Sequence, residues 1–202
     1  MVKHIEFSGR PPECRLLAYK AVSLLAQRPT PSTLSEALDT VRQLIDACRL
    51  HSPTLHELAE AIAEALHDTD ELEVEYTRLF VNAYPRLECP PYETVYAEHA
   101  RRVMGRSGVE VAHIMDEAGL EVSEGFSEPP EHVAAETELM AYLIYLELTG
   151  DEKARGLAER LRRHLVRWIP EYARCLERAA RHRLYRLYAR FLQELAEAEA
   201  RG

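Results

Sequence analysis

The chain has 202 residues, 47% of them hydrophobic, which is enough for a buried core and too apolar for disorder. With 25 basic and 34 acidic residues the net charge is −9, against the basic face that nucleic acid needs and against an anionic membrane surface. Its longest apolar run, Leu139 to Leu146, is far short of the roughly 20 residues that cross a bilayer.

From the N-terminus, helical periodicity predicts a first helix over 13–27. Lys20 interrupts the apolar stretch there and no small-residue cleavage site follows, so a signal peptide is not expected. Thr33-Leu-Ser-Glu36 reads as a capping box opening a helix to about Leu50. Thr54-Leu-His-Glu57 does the same for one to about His67, and Asp70-Glu-Leu-Glu73 for one ending near Phe80. A loop over 81–91 precedes a helix from Glu93 to Met104. A short helix over 109–118 stops at Gly119, and a polar loop over 120–130 contains Gly125. Helices over 131–148, 152–168 and 170–200 complete the chain, the last with a break near His182. All eleven prolines are read as marking connections, because proline inside a helix costs about 3 kcal/mol. No alternating strand pattern and no internal repeat appears. The expectation is one all-α domain over 1–202, a bundle of roughly 8–11 helices.

Cysteines 14, 48, 89 and 175 show no CxxC and no close pair, so reduced, mostly buried thiols in the cytoplasm are expected, and no metal site. The eight glycines form no phosphate loop. His56-Glu57 begins like a zincin motif, but Glu60 stands where the second histidine belongs. No nucleophile elbow or Cys/His arrangement is present, so no catalytic residue and no cofactor is assigned.

Three segments stand out. Tyr76, Leu79 and Phe80 share one helical face, a spacing that core packing also produces. Leu87-Glu-Cys-Pro-Pro-Tyr-Glu-Thr-Val-Tyr96 places two prolines before a helix start and Tyr92 exposed at the corner. Glu128-Pro-Pro-Glu-His132 runs directly into a helix on which His132 and Glu136 are four residues apart. Ten tyrosines against four phenylalanines and one tryptophan suit a half-wet surface.

Taken together and in order, Tyr-x-x-Leu-Phe at 76–80, Pro-Pro-Tyr-Glu-Thr-Val-Tyr at 90–96 and Glu-Pro-x-x-His-x-x-x-Glu at 128–136 resemble the signatures of the TorD/DmsD/NarJ family of molybdoenzyme chaperones. His164-x-x-x-Trp168-x-Pro170 resembles it too, and the likeness covers about residues 13–195. It implies a TorD-like helical fold and a cytoplasmic, non-enzymatic chaperone. Such a protein binds the leader of a molybdenum-containing oxidoreductase, twin-arginine or related, and holds the precursor during cofactor insertion. The resemblance carries the peptide-binding role to Tyr76, Leu79, Phe80, Pro91, Tyr92, Glu93, Tyr96, Glu131, His132 and Glu136. A groove lined by Leu79, Phe80, Tyr92 and Tyr96 would take the apolar part of the leader, with Glu93 and Glu131 at its rim for arginines. Thr94 stands where the family commonly has Ser, Glu131 where Asp often precedes the histidine, Thr137 for a usual Leu and Asn82 for a frequent Gly. These departures leave the subfamily open. Long helices with Pro-rich hinges also allow a homodimer by exchange of elements. Two other readings stand beside this one. One is a nucleotide- or small-molecule-binding helical enzyme using His132 with Glu131 or Glu136. The other is a purely structural helical adaptor, which burial of Tyr92, Tyr96 and His132 would favour.

Overall fold

A computed structural model describes residues 11–82, 87–99, 102–121 and 128–201. Among these are nine α-helices: α1 (Pro11–Leu25), α2 (Pro31–Cys48), α3 (Pro53–Ala65), α4 (Leu72–Tyr76), α5 (Glu93–Ala97), α6 (Arg106–Glu117), α7 (Val133–Leu148), α8 (Glu152–Ala179) and α9 (Arg183–Arg201). The all-α expectation holds. Gly125 and most of the loop around it lie outside the described residues.

Six helices close a ring: α1 packs on α2 and α7, α7 on α8, α8 on α9, α9 on α3 and α3 on α2. Helix α7 is apolar almost all round, which suits an element covered on several sides. In α8 the stripe Leu157, Leu161, Leu165, Trp168, Tyr172 and Leu176 recurs every three or four residues and is buried throughout. Helices α5 and α6 lie against the outer side of α8.

Three helix starts use proline where its missing N–H costs nothing: Pro11, Pro31 and Pro53 each open a helix. The caps lie before the boxes expected from sequence. Thr30 caps α2 by accepting from Thr33 N–H, and Ser52 caps α3 by accepting from Leu55 N–H.

Several predicted boundaries move. Pro170 does not end a helix; it sits within the 28-residue α8, where the continuous apolar stripe offsets its cost. The break expected near His182 is found at residues 180–182, which Glu75 and Arg78 hold. Glu75 Oε1 accepts from the backbone N–H groups of Arg181 and His182, and Arg78 donates to the Ala179 carbonyl at 2.7 Å. The helix expected from Asp70 starts at Leu72, because Glu71 is left-handed (φ +58°), and it continues as a π-helical turn, Thr77–Val81. The helix expected to reach Met104 stops at Ala97.

The reduced thiols expected from sequence are not found. Cys14 is bonded to Cys48, joining α1 to α2, and Cys89 is bonded to Cys175, joining the Pro-rich corner to α8. Sequence separations of 34 and 86 residues conceal partners whose Cα atoms packing brings to 4.9 and 5.8 Å. Such bridges persist in oxidising compartments and inside hyperthermophiles. No helix among the described residues is long and apolar enough to cross a membrane.

Each bridge should contribute about 2–4 kcal/mol by restricting the unfolded chain. Denatured, unreduced protein should therefore show no reactive thiol and reduced protein four. Full reduction should lower the melting temperature by at least several degrees, at about 2–4 °C per kcal/mol. Four reactive thiols before reduction would contradict the pairing.

Candidate functional site

The Pro-rich corner and the start of α7 are joined by main chain. Glu93 N–H donates to the Glu131 carbonyl at 3.1 Å and Val133 N–H to the Pro91 carbonyl at 2.9 Å, an isolated antiparallel bridge between Tyr92 and His132. Pro90 and Pro91 force extended backbone here, so the chain presents its carbonyls sideways to a second strand-like segment. The Tyr92 ring meets the His132 ring edge-on at 5.4 Å, and Tyr92 Oη donates to Glu128 at 2.7 Å.

Glu131 is fully buried. Its Oε2 accepts from the backbone N–H of Thr94 at 2.9 Å and from the Thr94 hydroxyl, while Oε1 accepts from the Met104 N–H. One carboxylate thus caps α5 and gathers the segment leading to α6. Met104 takes a left-handed backbone (φ +58°) while its N–H is held by Glu131. Gly108 leaves room for the group, since a Cβ there would lie 2.9 Å from the Glu131 carboxyl carbon. Glu98 completes the α5–α6 turn by accepting from Ser107 N–H at 2.8 Å and from its hydroxyl at 2.7 Å.

Behind this lies a second layer. Glu93, also fully buried, takes the Nδ1–H of His164 across both carboxylate oxygens at 2.9 and 3.0 Å. Glu136 accepts from the Trp168 indole N–H at 3.1 Å on Oε2, and its Oε1 has no hydrogen-bond partner among the described residues. Burial, with the charges of Glu93 and Glu131 adding to it, holds the Glu136 carboxyl well above the usual carboxylate range. His132 caps α7 by accepting from Ala134 N–H at Nδ1 (3.1 Å), and burial pushes its pKa down to about 4. A neutral imidazole suits both the cap and the positive end of the helix.

The rim expected from Glu93 and Glu131 is therefore corrected: both point inward. Leu79, Phe80 and Tyr96 are buried as well, with Phe80 between Tyr76 and Tyr185 and Tyr96 stacked on Trp168, so they do not line an open groove with Tyr92. Tyr92, expected exposed, is half-buried. Tyr76, Pro90, Tyr92, Val95, Glu128, Pro129 and Pro130 are among the partly accessible members of the three segments. Within the cluster, Glu131 and Glu136 contact Thr94, Met104 and Trp168. Those contacts give Glu131 a structural task and leave Glu136 in the interior with its pKa raised by burial. No group of three or more metal-ligating side chains occurs among the described residues. Sequence reading left out Glu128, His164 and Trp168 as site residues. The last two stand four apart and were visible as a motif, but only the fold brings them to Glu93 and Glu136.

The fold and this joined corner define a helical protein of a recognisable class. Over 97% of the chain and 99% of the other, the structure is similar to that of a putative redox enzyme maturation protein from Archaeoglobus fulgidus, with a TM-score of 0.66 and 25% identity. The profile of the nitrate reductase delta subunit family matches residues 34–174, and the chain belongs to that family. It is 29% identical over 112 residues to the chaperone protein TorD of Escherichia coli O81 (strain ED1a), covering 54% of this chain and 52% of that one. To the chaperone protein TorD of Salmonella arizonae it is 30% identical over 87 residues, covering 42% and 40%. The matched stretch spans about half or less of these curated relatives.

Glu131→Gln should destabilise the fold by about 2–3 kcal/mol, because an amide NH2 would then face a donor in place of a charge-assisted acceptor. Glu136→Gln should be near neutral at low pH, as it replaces a neutral acid. The raised pKa of Glu136 contributes stability that is complete below the unfolded value of 4.5 and is lost as pH rises through the folded one. Glu136→Gln should remove that decline. Urea denaturation across pH measures both, and equal losses in the two variants would count against these roles.

Proposed function

We propose that the chain is a chaperone for a molybdenum-containing oxidoreductase subunit, binding the precursor's N-terminal leader at the Tyr76–Tyr92–Glu128 surface before export or assembly. This places its work on the cytoplasmic side of the membrane. The observation that carries the reading is the Tyr92–His132 bridge, which joins two sequence-distant motifs into one corner, while burial, with the Glu128 carboxylate adding to it, raises the phenols of both Tyr76 and Tyr92.

Division of labour within the corner follows from burial. Leu79, Phe80, Pro91, Tyr96, Glu131 and His132 set the shape from beneath, and their burial favours a structural task for each. The half-buried Tyr76 and Tyr92 offer ring faces to an apolar leader segment. Glu128, already accepting from Tyr92, and the exposed Glu88 supply carboxylates for arginine side chains. Each exposed pair adds about 0–1 kcal/mol, so most of the affinity comes from a few apolar side chains at about 1.5–3 kcal/mol each. Less the cost of ordering a flexible peptide, roughly micromolar binding results, near −8 kcal/mol. That is weak enough for later release.

Titration of a synthetic leader peptide containing paired arginines and an apolar stretch should give roughly micromolar binding. Tyr92→Ala and Tyr76→Ala should each weaken it about tenfold, with helical content and melting checked beside them. Unchanged affinity in both folded variants would exclude this surface.

A further inference from the structure

A cleft of about 340 Å³ opens between α6 and α8, lined by Glu110, Ile114, Arg160, Arg163, His164 and Arg167. Its size is at the small end of ligand pockets. Arg160, Arg163, His164 and Arg167 fall at i, i+3, i+4 and i+7, one stripe of the helix. Like charges at this spacing repel by a few tenths of a kcal/mol per pair, so the stripe costs stability unless something negative lies over it. In a chain of net charge −9, three guanidinium groups line this one recess.

The contacts these arginines already have are of the exchangeable kind. Arg160 reaches Glu117 at 2.8 Å in an exposed pair, and Arg163 lies 3.6 Å from Glu159. Arg167 donates to the Ala97 carbonyl at 3.0 Å and forms no ion pair within 4.0 Å among the described residues. Glu110, the one acid of the lining, accepts from Arg106 at 2.9 Å. His164 is oriented: with Nδ1 fixed on the buried Glu93 carboxylate, its Nε2 is turned toward Glu110 at 3.5 Å, into the cleft.

We propose that this cleft is a binding site for the phosphate groups of a small ligand. Guanidinium forks match phosphate oxygens in pairs, which gives geometry as well as charge, and Ile114 supplies an apolar wall. The site shares no lining residue with the leader surface and does not rest on the chaperone reading. His164 is the physical link between the two, through Glu93 and the helix start that follows Tyr92.

The test is calorimetric titration of the whole protein with inorganic pyrophosphate at low ionic strength. Saturable binding at one site is expected, weakened about tenfold or more in the double variant Arg163→Ser, Arg167→Gln. Arg155→Gln, at the start of the same helix beside Glu147, should leave it unchanged, and melting curves should show all variants folded. ADP run beside pyrophosphate distinguishes a free ion from a nucleotide: tighter binding adds the nucleoside to what is recognised, equal binding limits recognition to the phosphates, and both uphold the site. No saturable heat at millimolar pyrophosphate, or equal weakening by Arg155→Gln, would overturn it.

Discussion

Much of this structure depends on one buried carboxylate. Glu131 has no access to solvent, and an uncompensated charge there would cost several kcal/mol. It is tolerated because its side chain accepts from Thr94 twice and from Met104, while its backbone carbonyl accepts from Glu93. These donors come from the Pro-rich corner and from the approach to α6. Satisfying a single acid therefore fixes where two otherwise irregular segments meet the first turn of α7. Gly108 follows from the same requirement, since any side chain there would press on the carboxyl group.

From that anchor the polar interior extends in order. Glu93, set at the start of α5 by its bond to Glu131, orients His164. Glu136, one turn into α7, meets Trp168, one turn along α8 from His164. Glu93 and Glu131 meet several donors as they turn inward, whereas Glu136 accepts only from the Trp168 indole and burial raises its pKa. A polar network of this type specifies one packing of α5, α7 and α8 better than apolar contacts alone, since a misplaced helix would strand a carboxylate. At the C-terminal end of α8, the Glu75–Arg78 pair does comparable work by satisfying the main chain where α8 gives way to α9.

Helical periodicity made the architecture legible, because amphipathic stripes such as that of α8 are written in spacing alone. The three motif segments were legible as unusual, and the fold does bring the Pro-rich corner against the start of α7. Their orientation was not legible. Tyr96, Glu93 and Glu131 carry polar atoms, which from sequence point toward solvent, and only tertiary partners such as Thr94, His164 and Trp168 explain why they face inward. Pro170 misled for a related reason: a local penalty of about 3 kcal/mol says nothing of the packing on either side that offsets it. The disulfides were hidden because a pairing across 86 residues is a property of the fold. Cys89 lies in the very corner that carries the motifs, so its bond to Cys175 adds a covalent tie where the main chain is least regular.

We propose that the corner's accessible face, with Tyr76, Tyr92 and Glu128, receives a leader peptide. Hydrogen exchange of the intact chain, with and without a paired-arginine leader, tests it most directly because it reports where the peptide lies. The account predicts slowed exchange in the segments around 73–82, 88–97 and 128–136, with little change in α2 and α3. Protection confined to α2, α3 or the C-terminal half of α9, with the corner unaffected, would contradict it.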